Sequence, residues 1–263
     1  MVKTKYDFGD CRKLMKKIKS NTIRMVVTSP PYNLKKNYGM YSDDVHLEEW
    51  KALINTTMKE VHRVLTDDGS FFLNVSPIPN KKTKEIIPLD SIAWELGKKN
   101  GFYLRNKIVW HFNNMQNCIN RLSGRWEAVL WFVKDINNYV FNLKDVKIPC
   151  ITKRDKRFDT KAGRNPTDVW YFDRVNNVTK KRLGIENHPC VYPVTMIERI
   201  IKMSTNKNDW VLDPFVGSGT TLIAAKRLER NSIGYELDNK FKKMIIQRID
   251  NETSQKTVKD VFE

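Results

Sequence analysis

The sequence has no apolar run long enough to cross a bilayer. Its longest stretches, such as Ala128 to Val133, fall far short of the roughly 20 residues that a spanning helix needs. The opening MVKTKYDFGD lacks the apolar core of a secretory leader, so the chain reads as soluble and cytoplasmic. Cysteine and histidine are scarce, four of each. Cys11, Cys118, Cys150 and Cys190 lie far apart, form no C-x-x-C pair and do not meet the histidines at ligand spacing, so a disulfide framework and a zinc site are both disfavoured and no metal is expected. Acidic residues are outnumbered, 30 Asp and Glu against 47 Lys and Arg, which leaves a formal charge of +17. The acids are spread along the chain, so this is a folded basic protein whose balance favours a polyanionic partner. A generally lysine-rich composition would look the same, and charge alone does not decide function.

Internal repeats and low-complexity segments are absent as well, and 263 residues suit one large α/β domain with a small insertion. To about residue 110 the chain alternates short β-rich runs with amphipathic stretches. Arg24 to Thr28 reads as a buried strand. Leu47, Trp50, Ile54, Val61 and Leu65 share a helical face that Asp67-Asp68-Gly69 is expected to end. Ser70 to Val75 is the next strand, Asp90 to Lys99 the next helix, and Tyr103 to Phe112 resumes β character, giving a βαβαβ pattern. After a strand at Glu127 to Val133 the texture turns basic and irregular. Phe141 to Gly184 carries twelve Lys or Arg against five Asp and reads as an insertion, not sheet. Regular rhythm returns with a helix from Pro193 to Ser204, a strand at Trp210 to Leu212, a helix at Thr220 to Glu229, a strand at Ser232 to Glu236 and a last helix from Asn239 to about Ile249.

Two segments carry chemistry. In the first, Asp213-Pro214-Phe215-Val216-Gly217-Ser218-Gly219-Thr220-Thr221 runs strand, glycine turn, helix, the place where an α/β sheet binds a nucleotide-like ligand. Its glycines let the backbone approach a ligand closely. The spacing is neither G-x-G-x-x-G nor the P-loop, which weakens NAD and ATP against a cofactor made of a nucleoside, a sulfonium and an amino acid. Glu236, 23 residues after Asp213, ends the next strand where an acidic residue would accept from ribose hydroxyls. An ordinary tight turn with a surface glutamate is the plainer alternative.

The second segment, Thr28-Ser29-Pro30-Pro31-Tyr32, follows a buried strand. Paired prolines fix the backbone and remove two N–H donors, leaving a rigid, carbonyl-rich loop. A Ser29 hydroxyl and a Pro30 carbonyl that both accept from an exocyclic amine would draw it toward tetrahedral geometry and free its lone pair. Catalysis would then rest on positioning and oriented dipoles. Tyr32 would stack on a base swung out of the helix. A proline-stiffened surface loop with a packed tyrosine is the alternative for this segment taken alone.

With both segments in place the chain resembles the DNA amino-methyltransferases of the permuted, or beta, class, in which the catalytic motif precedes a recognition segment and the cofactor motif comes last. The resemblance covers nearly the whole chain. It implies an α/β, Rossmann-like doubly wound, mostly parallel sheet of the S-adenosylmethionine-dependent type, with an antiparallel hairpin and circularly permuted motif order. Residues 1–137 and 185–263 would form the catalytic domain and 138–184 a target-recognition insertion, helped by Asn113 to Ser123. The implied catalytic residues are Ser29, Pro30, Pro31 and Tyr32. The implied cofactor residues are Asp213, Phe215, Gly217, Ser218, Gly219, Thr220, Thr221 and Glu236, with Asp10 and Cys11 from the Gly9-Asp10-Cys11 segment set against the adenine. Arg125-Trp126-Glu127 resembles the start of the family's late hairpin, and Asn187-His188-Pro189 through Pro193 resembles the segment lining the methionine end of the pocket. Tyr192 departs from the lysine or glutamine many members carry there, which puts a contact from that side chain to the cofactor carboxylate in doubt.

DNA contacts are expected from Lys153, Arg154, Lys156, Arg157, Lys161, Arg164, Lys180, Lys181 and Arg182, basic groups interleaved with aromatics. Serine at the head of the catalytic motif goes, by family pattern, with N4-cytosine methylation, and Asp or Asn with N6-adenine. Cys190 sits in the wrong context for a C5-cytosine nucleophile and reads as structural. The expected function is sequence-specific N4-cytosine DNA methylation in a restriction-modification system, with an N6-adenine enzyme and a catalytically silent nucleic-acid-binding protein as alternatives. DNA is the expected partner, a restriction endonuclease acting separately a candidate one, and the assembly a monomer or homodimer.

Overall fold

The computed structural model describes residues 2–32, 37–38, 41–42, 45–80, 82–113, 117–149, 163–186, 188 and 190–259, with backbone alone at 37–38, 41–42 and 252–259. In chain order the elements are β1 (Thr4–Phe8), α1 (Cys11–Leu14), β2 (Ile23–Thr28), β3 (Asn37–Tyr38), β4 (Tyr41–Ser42), α2 (Leu47–Val64), β5 (Leu65–Val75), β6 (Ile78–Pro79), β7 (Ile86–Ile87), α3 (Leu89–Lys99), β8 (Tyr103–His111), β9 (Trp126–Val133), β10 (Val169–Tyr171), α4 (Asn177–Arg182), α5 (Val194–Ser204), β11 (Trp210–Asp213), α6 (Thr220–Arg227), β12 (Asn231–Glu236) and α7 (Lys242–Lys259).

Eight strands form one sheet in the order β1-β12-β11-β2-β5-β9-β8-β10, and β3-β4 and β6-β7 are small separate hairpins. Within the large sheet, β9 is antiparallel to both of its neighbours and every other pairing is parallel. Alternating side chains send β2 and β5 to opposite faces. Val26, Phe71 and Leu73 join Trp50, Ile54 and Met58 of α2 and Ala93 of α3 on one side. Met25, Val27 and Phe72 join Ile197 and Ile201 of α5 and Ala224 of α6 on the other. Helices therefore cover both faces of a doubly wound sheet. The order reverses between β11 and β2, which places their carboxyl ends side by side at a topological switch point, where such sheets open a crevice.

Two expectations need correction. The helix over 47–64 stops before Asp67-Asp68-Gly69, because Leu65 already turns extended to pair with Ile23. Residues 66–69 instead form a bulge in β5, where Asp68 pairs with Arg24 of the neighbouring strand. The basic stretch also contributes sheet: Val169–Tyr171 adds β10 to the edge beside β8. Trp170 is buried there, with the Arg199 guanidinium 5.2 Å from its ring centroid, so an aromatic anchor holds the segment against α5.

Helix α3 packs so closely on β9 that a Cβ at Gly97 would lie 2.6 Å from Phe132 Cε1. Gly97→Ala should therefore lower stability by about 1–3 kcal/mol in urea denaturation despite alanine's better helix propensity.

Candidate active site

Strands arriving at the carboxyl edge surround a cavity of about 600 Å³. One part of its wall comes from the β1–α1 turn (Gly9 to Arg12), Phe215 to Ser218, Thr220, Glu236 and His188. A second part is Ser29, Pro31 and Tyr32 with Asn74 and Glu127. Trp110, Phe112, Arg174, Cys118 and the loop Arg121 to Gly124 line the cavity as well.

The glycine turn is built around a left-handed residue. Gly217 has φ of 52°, and a Cβ there would sit 2.7 Å from His188 Nε2, so glycine is needed both for conformation and for space. Its amide donates to Glu236 Oε2 at 3.0 Å, while the Asp238 amide donates to the other oxygen at 3.1 Å. Burial nevertheless pushes the Glu236 carboxyl up to about 7, and the amide hydrogen bonds only partly oppose it. Burial likewise lowers His188 to about 4, leaving a neutral imidazole at neutral pH. Its Nδ1 lies 2.6 Å from the Cys190 carbonyl and its ring meets Phe241 edge-on.

Asp10 lines the cavity, and its carboxylate is held by Arg12 through Nε at 2.9 Å and Nη2 at 2.6 Å, which keeps its pKa below the usual range. Cys11 is buried and its thiol is pushed up to about 12, so it offers a protonated wall and no thiolate. Asp213, Gly219 and Thr221, grouped with the cofactor residues on sequence, do not face the cavity. Asp213 is fully buried and accepts from Thr28 Oγ1 (2.6 Å), Thr221 Oγ1 (2.5 Å), Tyr192 Oη (2.9 Å) and the Phe215 amide (3.1 Å). With both oxygens committed to protein donors, it fixes the loop from within. Tyr192 belongs to that buried cluster through its hydroxyl.

Ser29 Oγ and Tyr32 Oη are 2.6 Å apart, and Tyr32 donates to Glu127 Oε2 at 3.0 Å. Asn74 Nδ2 donates to Tyr32 Oη at 2.5 Å and to Glu127 at 2.7 Å. The Trp50 indole Nε1 donates to the Pro31 carbonyl at 2.8 Å, pinning the loop to α2. Pro30 is buried and is not part of the cavity wall, so of the two acceptors expected for the amine only Ser29 Oγ faces the space. Asn74 and Glu127 had not been expected as site residues. A polar residue late in the apolar run SFFLNV, and a carboxylate heading the buried run AVLWFV, are the sequence signals that mark them.

Of the basic residues, Lys153, Arg154, Lys156, Arg157 and Lys161 lie outside the described residues. Arg164 bridges backbone with Ile148, Lys181 and Arg182 are exposed on α4, and Lys180 instead turns its ammonium onto the His188 carbonyl at 2.9 Å. Asn187 and Pro189 also lie outside the described residues. Among the described residues no group of three His, Cys, Asp or Glu could hold a metal ion, and no helix is long and apolar enough to cross a membrane.

The model of a DNA methylase family, covering N6 and N4 enzymes, matches residues 23–247. The chain belongs to this family. It is 34% identical over 252 residues to the Type II methyltransferase M.ScaI of Streptomyces caespitosus, covering 93% of this chain and 80% of that protein. It is 31% identical over 257 residues to the DNA adenine methyltransferase YhdJ of Escherichia coli (strain K12), covering 92% and 81%. Its fold matches PvuII DNA methyltransferase (cytosine-N4-specific) with a TM-score of 0.72 at 22% identity, over 91% of this chain and 83% of that one. It also matches the M1.HpyAVI–SAM complex with a TM-score of 0.64 at 23% identity, over 94% and 98%. The chain is thus a DNA methyltransferase that uses S-adenosylmethionine.

A carboxyl raised in the fold, as that of Glu236 is, favours folding when protonated; the gain is complete below the ordinary glutamate range and is lost as pH rises through about 7. In urea titrations of the ligand-free protein, Glu236→Gln should therefore flatten the decline in stability between roughly pH 5 and 7.

Proposed function

We propose that this methyltransferase modifies the N4 amine of cytosine in DNA and serves as the modifying half of a restriction system. The observation that carries the reading is Ser29 Oγ, a hydroxyl acceptor on the cavity wall held at 2.6 Å by Tyr32. A cytosine amine is a poor nucleophile because its lone pair is delocalised into the ring. Ser29 Oγ accepts from one N–H, draws the nitrogen toward tetrahedral geometry and leaves the lone pair free to attack; the new N–C bond replaces the methyl–sulfur bond, whose electrons stay with sulfur, and the methylated nitrogen sheds its surplus proton to water. No covalent enzyme intermediate is needed, so the gain comes from positioning and oriented dipoles.

The cavity suits the methyl donor. Gly217 presents bare backbone on the cavity wall, and Glu236 offers a buried carboxyl group at the end of β12. In this reading Glu236 accepts from the ribose, Asp10 and Cys11 border the adenine, and Phe215, Gly217, Ser218 and Thr220 line the remainder. Bound there, S-adenosylmethionine supplies an electrophilic methyl group on a sulfonium. Pro30 and Pro31 keep the Ser29 loop stiff, and the Tyr32 ring, its hydroxyl fixed inward, gives the base a rigid wall.

Residues 138–184 act as the target-recognition unit, with phosphate contacts from Lys153, Arg154, Lys156, Arg157, Lys161, Arg164, Lys181 and Arg182. The loop 117–124 assists at the mouth. Ile119 and Leu122 are 99% and 93% exposed beside Arg121, apolar groups suited to a gap in the base stack. Adenine N6 is the second reading, favoured by the likeness to YhdJ, because a hydroxyl can accept from either amine.

Nucleoside mass spectrometry after incubation with labelled S-adenosylmethionine and mixed-sequence DNA decides between them. N4-methylcytosine is the expected product, and N6-methyladenine would overturn the cytosine assignment. Ser29→Ala should reduce kcat by about 100-fold or more while cofactor affinity stays unchanged.

A further inference from the structure

Among the described residues Glu127 is the carboxylate in contact with the Ser29–Tyr32 pair, and nothing in the chemistry above uses it. It is the second residue of β9, is 8% exposed, and is followed by six buried apolar residues, an expensive place for a charge unless it performs a task. We propose that Glu127 is a positioning residue that fixes the direction of the hydrogen bonds running through Tyr32, so that Ser29 keeps a lone pair aimed at the substrate amine. The proposal rests on the reading of Ser29 as the amine's acceptor.

The direction follows from donor counting. An ionised carboxylate has no hydrogen to give, so the Tyr32 hydroxyl must donate across the 3.0 Å contact to Oε2. Its only proton spent, the Tyr32 oxygen can only accept, and at 2.6 Å the partner is the Ser29 hydroxyl. The Ser29 proton is thereby drawn inward and its oxygen is left as an acceptor toward the cavity. Remove the anion and the Tyr32 proton is free to point at Ser29. Ser29 then presents its own O–H to an amine N–H, donor against donor. Asn74 reinforces the same polarity, since its amide nitrogen donates to both Tyr32 and Glu127. Among the described residues its buried carbonyl oxygen has no hydrogen-bond partner, so the amide is oriented by what its nitrogen donates to in this cluster.

The charges facing Glu127 agree with an anion under tension. Burial raises its pKa, while the Arg174 guanidinium and the donors from Asn74 and Tyr32 oppose that rise. Tyr32 is itself pushed well above the usual phenol value, by burial first and by Glu127 second, so it stays a donor at any working pH.

The test is a double-mutant cycle read in kcat, S-adenosylmethionine affinity and pH profile. Glu127→Gln removes the charge but keeps the shape, and its amide can donate as well as accept, so the polarity is no longer enforced. It should lose about tenfold or more in kcat, bind S-adenosylmethionine within about twofold of wild type, and lose the acidic limb of the kcat profile. Glu127→Asp, which keeps the anion, should retain that limb and part of the rate. In a Tyr32→Phe background the link is already cut, so adding Glu127→Gln should change kcat less than about twofold. Wild-type kcat in Glu127→Gln, or losses that multiply in the double variant while cofactor affinity and Tm fall together, would overturn the proposal. Full activity in Ser29→Ala would instead remove the reading on which it rests.

Discussion

The site depends on one buried carboxylate. Asp213 gathers donors from four places: Thr28 at the end of β2, the Phe215 amide in the glycine turn, Thr221 in the first turn of α6, and Tyr192 ahead of α5. Thr28 is the residue immediately before Ser29, so a single side chain ties the Ser29 loop to the glycine turn. Burial raises the Asp213 pKa and four hydrogen bonds work against that rise. A buried acceptor of this kind is most valuable when every donor stays paired, because each donor left alone carries its full desolvation penalty.

The rate of a transfer between two bound reactants turns on how well they are aligned. The sheet reverses its order between β11 and β2, which sets the two loops next to each other, and Asp213 then fixes their relative placement. Trp50 pins the Pro31 carbonyl from one side and His188 packs against the glycine turn from the other. The resulting cavity is walled by the ends of strands and the turns that follow them, with Arg121 and Arg174 among its lining residues.

Much of this was legible in the sequence because it is local. The β2 and β11 strands, the glycine turn, the paired prolines and the alternation of strand and helix are written in consecutive residues. Glu236 was legible from its distance after Asp213. What could not be read were contacts between residues far apart in the chain. Thr28 and Asp213 are separated by 185 positions, so Asp213 looked like a cofactor ligand and proved to be an internal clamp. Asn74 and Glu127 looked like polar interruptions of strands and converge on Tyr32 only when β5 and β9 pair. Likewise Val169 to Tyr171 lay in a stretch whose composition masked a strand, because its sheet partner, β8, is about 60 residues earlier in the chain, and Trp170 buries itself only against α5.

Asp213→Asn tests the clamp most directly, because it keeps the shape and replaces an acceptor with a donor. Calorimetric titration with S-adenosylmethionine beside a urea melt should show stability reduced by about 1–3 kcal/mol and cofactor affinity reduced about tenfold or more, although the side chain does not face the cavity. A variant that binds S-adenosylmethionine and methylates DNA as wild type does would contradict the claim that this carboxylate holds the two halves of the site together.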